Sequence, residues 1–180
     1  ITIDSATMMN KCFEIIEAHY LFGLPYDRIK ILLHDESYVH SLVQYNSGML
    51  RMEISKPNMK NPIKYALFER NLIYETTVVD DLSKLHNLHF KKFDYHRFPI
   101  VKWAKKVIEE KGTYGCCLNA ANEEIVNAFL NGEVKFVQIE PIINKLMHEH
   151  ITINNPSIND MIVVHVQTQK RVRELVKGEN

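Results

Sequence analysis

The sequence has no excess of either charge sign: Lys plus Arg and Asp plus Glu both number 22, for a formal net charge of zero. That excludes the polybasic stripe that advertises a nucleic-acid or anionic-membrane partner, so neither is expected. No uninterrupted apolar run approaches the roughly 20 residues a spanning helix needs. Cysteine is scarce. The three present include the adjacent Cys116 and Cys117 and make no disulfide framework, so a reducing cytoplasm is expected. The opening Ile1-Thr2-Ile3-Asp4 has no basic region ahead of it, which argues against a signal peptide. It also lacks an initiator Met and looks like mid-strand, which predicts a fragment or processed product. Glycine and proline number six each, and there is no repeat or low-complexity tract. The remaining composition is globular. At 46% hydrophobic and 24% charged, 180 residues can build a core for one domain or two small packed ones.

Apolar residues at helical spacing predict a helix over 8–22, capped by Asp4 or Ser5 and stopped by Gly23 and Pro25. Strands are predicted over 29–33, 38–45 and 49–54, the last two joined by an Asn46-Ser47-Gly48 turn. A short helix follows the Pro57–Pro62 loop, and 71–93 has no sustained period. Past Pro99 four helices are predicted, over 100–110, 119–130, 140–148 and 158–176. The expected class is therefore α+β: part of an α/β catalytic domain with a short mixed sheet, followed by a small helical bundle. The expected boundaries are 1–70, a linker over 71–96, and 97–180.

The densest polar cluster is Asp4-Ser5-Ala6-Thr7-Met8-Met9-Asn10-Lys11. A strand delivering Ser5 to a helix start would make an anion site, because free N–H groups and the helix dipole both favour phosphate. On a helix, Lys11 and Glu14 share a face at i, i+3, as do Asn10 and Glu14 at i, i+4. Phosphate and metal ion could then lie close together along one helix edge. Spacing alone favours a plainer account, a capping serine and a solvated Lys11–Glu14 ion pair.

The eleven residues Ile1 to Lys11, followed by Glu14, Glu17 and Ala18, closely resemble a signature stretch of the 1-deoxy-D-xylulose 5-phosphate reductoisomerase family. Leu33-His34 with Val39-His40-Ser41, Pro57-x-Met59-x-x-Pro62 and Leu118-Asn119-Ala120-Ala121-Asn122-Glu123 extend the resemblance nearly end to end. It implies conversion of 1-deoxy-D-xylulose 5-phosphate to 2-C-methyl-D-erythritol 4-phosphate in non-mevalonate isoprenoid biosynthesis, with NADPH and Mg²⁺ or Mn²⁺. It also implies a homodimer, a Rossmann NADPH domain absent from this chain, and two further metal carboxylates lying upstream. By resemblance Ser5, Asn10 and Lys11 hold the substrate phosphate, and Glu14 is a metal ligand within reach of substrate. Met59 is implied beside the nicotinamide, and His40 at the catalytic wall. The chain departs from the family pattern at Cys12, where Gly is common, and at Phe68-Glu69-Arg70.

Other candidates have plainer explanations. His34 and His40 could be read as a zinc pair, but Asp35-Glu36 looks like a turn and no third ligand is fixed. Cys116 and Cys117 are expected to be apolar packers, since they lack C-x-x-C spacing. Asn119, Asn122 and Glu123 are expected at a helix start, where capping and interhelical hydrogen bonds account for them. Trp103 is expected in the helical core. The rival function class is a non-catalytic phosphate-binding or helical interaction module.

Overall fold

The computed structural model describes residues 1–58, 60–68 and 87–178. They fall into two compact units, Ile1–Lys30 with Asp94–Asn180, and Ile31–Phe93. These units cut the chain differently from the expected boundaries near 70 and 97, because the opening helices pack on the helices that follow Asp94.

The first unit is helical. It contains α1 (Thr2–Thr7), α2 (Met9–Phe22), α4 (Trp103–Glu110), α5 (Tyr114–Leu130), α6 (Phe136–Glu149) and α7 (Ile158–Gly178), with 3₁₀ turns at Tyr26–Arg28 and Pro99–Lys102. Met9, Cys12 and Ile15 form the buried stripe of α2, at the i, i+3, i+6 spacing of one helix face. Gly23, at φ 64°, ends α2 in the left-handed conformation a glycine adopts without strain. Ile100, Leu118, Ile125, Ile139 and Ile143 are fully buried and centre the core. On α7 the stripe Val164, Thr168, Val172 and Val176 recurs every fourth residue and faces inward.

Three expectations need correction here. Residues 2–7 are helical although Ile and Thr favour strands, because tertiary contact outweighs a weak propensity. Helix α5 begins at Tyr114, not near 119. Gly115 lies inside α5, where an added Cβ would meet Val107 Cγ1 of α4 at an ordinary 3.4 Å. Asn119, Asn122 and Glu123 are therefore mid-helix and cap nothing. Likewise α6 begins at Phe136, with Pro141 inside it and Gln138 Oε1 accepting the Lys135 N–H at 2.7 Å.

The second unit carries β1 (Leu32–Leu33), β2 (Val39–Gln44), β3 (Leu50–Ile54), α3 (Lys60–Phe68) and β4 (Lys91–Lys92). Both of its ladders are antiparallel, β1 with β4 and β2 with β3. The β2–β3 turn is the predicted one: Gly48 sits at φ 84° and its N–H donates to Tyr45 O at 2.9 Å. Within the expected 71–96 linker, the described part from 87 supplies β4. Residues 69–86, Glu69 and Arg70 among them, lie outside the described residues.

Candidate functional site

Met8 divides the opening segment into two helices. It sits at φ 64°, ψ 16°, a left-handed conformation uncommon for a residue with a Cβ. The surrounding polar groups support it. Thr7 Oγ1 donates to Ile3 O at 3.1 Å and accepts the Met9 N–H at 3.3 Å. The α2 ladder begins with Cys12 N–H to Met8 O at 3.0 Å. The backbone N–H groups of Asn10 and Lys11 therefore lie at the positive end of α2, ahead of its first i→i−4 bond. The expected strand-to-helix junction is in fact a helix–kink–helix junction, and Ser5 is exposed on α1.

With Met9, Cys12 and Ile15 turned into the core, Asn10, Lys11 and Glu14 lie along the more accessible side of α2. Asn10 Nδ2 donates to Glu14 Oε1 at 2.6 Å, and Lys11 Nζ donates to Glu14 Oε2 at 2.5 Å. The i+3 and i+4 spacings converge as expected, and both carboxylate oxygens are engaged. Side-chain exposures of 39% for Lys11 and 45% for Glu14 leave the pair open to solvent and ligands. A pair this exposed holds itself together by about 1 kcal/mol at most, so exchange for a better partner costs little.

A hard divalent cation takes about six oxygen ligands. Glu14 offers one carboxylate of the right chemistry. Among the described residues no group of three His, Cys, Asp or Glu is placed to hold a metal ion. By its chemistry Glu14 could supply one ligand of the several such a cation takes.

His40 lies in the other unit, at the irregularity between the Val39–Ile54 and Ser41–Glu53 pairs of the hairpin. Such bulges re-aim a side chain. Its Nε2 is 3.1 Å from Ser55 O and 3.0 Å from Ser55 Oγ. A carbonyl only accepts, so Nε2 is the donor to Ser55 O. His34 does not join it: His34 Nδ1 meets His89 O at 2.9 Å and Glu36 Oε2 at 3.0 Å. The zinc reading of the two histidines finds no support. Met59 lies outside the described residues.

Thiol chemistry is disfavoured throughout. Burial pushes the Cys12 thiol up to about 12 and Cys117 to about 11, and raises Cys116 as well. All three are free, and Cys117 packs in the core as expected. Trp103 is half-buried, with Nε1 donating to Asn144 Oδ1 at 2.6 Å. The interhelical hydrogen bond expected of Asn122 is present, with a partner the sequence did not indicate: its Nδ2 on α5 donates to Asp4 Oδ1 in the polar cluster at 2.8 Å.

With that geometry in place, comparison with known proteins is informative. A family described as the DXP reductoisomerase C-terminal domain matches residues 54–173, and one described as the 1-deoxy-D-xylulose 5-phosphate reductoisomerase C-terminal domain matches residues 1–22. The chain is 42% identical over 177 residues to the 1-deoxy-D-xylulose 5-phosphate reductoisomerase of Geobacillus sp. (strain WCH70), covering 98% of this chain and 46% of that protein. Its fold is similar to the reductoisomerase from Zymomonas mobilis in complex with NADPH, with a TM-score of 0.88 and 34% identity over 98% of this chain and 47% of the other. A DOX-P reductoisomerase in complex with NADPH, fosmidomycin and magnesium gives a TM-score of 0.84 at 32% identity, over 99% of this chain and 45% of the other. The chain thus spans about half the length of the relatives it matches.

Proposed function

The chain belongs to the 1-deoxy-D-xylulose 5-phosphate reductoisomerase family, and on that premise we propose that it supplies the phosphate site and one metal carboxylate to an enzyme of that activity. The proposed reaction converts 1-deoxy-D-xylulose 5-phosphate to 2-C-methyl-D-erythritol 4-phosphate with NADPH and Mg²⁺ or Mn²⁺. The observation that carries the reading is the meeting of Asn10, Lys11 and Glu14 at the positive end of α2.

In this reading Lys11 attracts the substrate phosphate as a point charge, and the Asn10 amide and Ser5 hydroxyl give it oriented hydrogen bonds. The free N–H groups of the first α2 turn add to the same field. With Lys11 and Asn10 engaged by phosphate, Glu14 would be left to hold the cation. Bound there, the cation would polarise the substrate's carbonyl and hydroxyl oxygens, and NADPH would supply the reducing equivalent. Binding energy from the phosphate, remote from the reacting carbons, orients them. By the family resemblance His40, its Nε2 held by Ser55, is the active-site histidine of this proposal. The working enzyme is a cytoplasmic homodimer in this proposal.

The test is NADPH oxidation that depends on both 1-deoxy-D-xylulose 5-phosphate and divalent metal. It should be present in the enzyme whose catalytic half includes this chain, and absent from the 180-residue chain alone. Substrate-dependent oxidation by the 180-residue chain alone would contradict the proposed division of ligands. No oxidation by the longer enzyme would leave the non-catalytic module as the better account.

A further inference from the structure

Helix α1 is six residues long and buries none of them. A helix that short does not support itself in water, and the left-handed Met8 that follows adds strain. Something else must hold it where it lies. The Asn122–Asp4 bond, at 2.8 Å, joins residues 118 positions apart in sequence.

Asn122 is well suited to that duty. It is 6% exposed, midway along α5, with Ala120, Ala121 and Ile125 around it fully buried. A carboxylate only accepts, so Asp4 dictates that the amide presents Nδ2 to it. The Asn122 Oδ1 is then left buried and without a hydrogen-bond partner among the described residues. A side chain present for packing alone would be apolar, because an amide half-satisfied in a core is destabilising. Its retention points to a purpose on the Asp4 side, and Asp4 immediately precedes Ser5.

We infer that Asn122 is a positioning residue for the phosphate-binding segment. It fixes Asp4 and with it the orientation of α1, which sets where Ser5 stands relative to Asn10 and Lys11. The helical unit that contains α5 thereby takes part in recognition as well as in folding. The inference rests on the proposed role of Ser5, Asn10 and Lys11 as phosphate ligands.

The test is titration of the 180-residue chain with inorganic phosphate, followed through the backbone amide resonances of Asn10 and Lys11 well below the melting temperature. Asn122→Ala should weaken phosphate binding about tenfold, the worth of one charge-assisted hydrogen bond, while the Leu118 and Ile125 resonances stay in place. A merely structural asparagine would lower the melting temperature and leave the phosphate affinity unchanged; that result overturns the inference. If Asn122→Ala does not fold, Asp4→Ala breaks the same bond from its half-exposed end. Removing that negative charge should by itself favour anion binding, so weaker binding there supports positioning, and unchanged or tighter binding overturns it. The exchange Asp4→Asn with Asn122→Asp rebuilds the bond with its ends reversed and should restore affinity to within about threefold of the original; no recovery in a folded exchange variant also overturns it. If the unaltered chain shows no response to phosphate, the phosphate-site proposal fails first, and that outcome is distinct from those above.

Discussion

The unit formed by Ile1–Lys30 with Asp94–Asn180 and the unit Ile31–Phe93 are built on different principles. The first has a dry core, with Ile100, Leu118, Ile125, Ile139 and Ile143 wholly excluded from solvent. In the second, only Ile31 and Phe93 among the described residues are buried. It is held by backbone ladders and a polar clasp in which Glu36 accepts from the backbone N–H and Nδ1 of His89, with His34 Nδ1 3.0 Å away, while Lys91 pairs with Asp35. Hydrophobic burial therefore fixes α2 and its Asn10, Lys11 and Glu14 firmly. The hairpin that carries His40 depends on hydrogen bonds, each worth little net and open to exchange with water. The lesson is that Asn10, Lys11 and Glu14 stand on a helix anchored in the core, and His40 on the softer part.

The comparison is sharpened first by core truncation. Leu118→Ala or Ile143→Ala should cost about 2–5 kcal/mol in urea unfolding, because each leaves a cavity in close-packed surroundings. Leu42→Ala, at a half-buried hairpin position, should cost below about 1.5 kcal/mol. Equal losses would break the comparison.

Two glycines test it at smaller amplitude. Gly112 has φ 53°, and an added Cβ would lie 2.5 Å from both Ile153 O and Thr152 Oγ1. Gly48 has φ 84° with open space around it. Gly112→Ala should cost well over about 1 kcal/mol, from strain and collision together. Gly48→Ala should cost about 1 kcal/mol, from strain alone. Thermal melts of the two variants measure the gap.

Acid should act on the two units in sequence. Burial lowers the pKa of His150 from its ordinary 6.5, so the stability it contributes is complete above 6.5 and is lost as pH falls below that value. The His89 hydrogen bond holds the Glu36 carboxyl at about 2, below its ordinary 4.5. Its contribution is complete above 4.5 and is lost as pH falls from there toward 2. Amide exchange followed by NMR should show the contact of His150 with Thr113 loosening first and the Glu36 clasp later; the opposite order would be wrong for this account.

Much of this was legible in the sequence. Helical spacing of Met9, Phe13, Ile16, Tyr20 and Leu21, with Gly23, marked α2, although its buried face is Met9, Cys12 and Ile15, and Asn46-Ser47-Gly48 marked the hairpin. The i+3 and i+4 spacing to Glu14 foretold the convergence of Lys11 and Asn10, because helical geometry is local. Residues 2–7 misled, since β-favouring Ile and Thr were overruled by contacts made elsewhere in the chain. Helices α5 and α6 begin at Tyr114 and Phe136, ahead of the expected 119 and 140, so their starts were the part misread. That Asn122 would bond between helices was expected, but its pairing with Asp4 had no signal: partners 118 residues apart follow no periodicity.

The central claim is that one edge of α2 holds the substrate phosphate through Lys11 and the metal through Glu14. Its most direct test is steady-state kinetics of Lys11→Ala, Glu14→Gln and the double variant, in the enzyme containing this chain, with Mn²⁺ titrated. Glu14→Gln should lower kcat by about a hundredfold or more with NADPH affinity unchanged, because the metal acts on charge that develops in the transition state. Lys11→Ala should chiefly raise KM, and the double variant should lose less than the product of the two, since both residues position one substrate. A near-normal kcat for Glu14→Gln would contradict the assignment and reduce Lys11–Glu14 to a solvated ion pair.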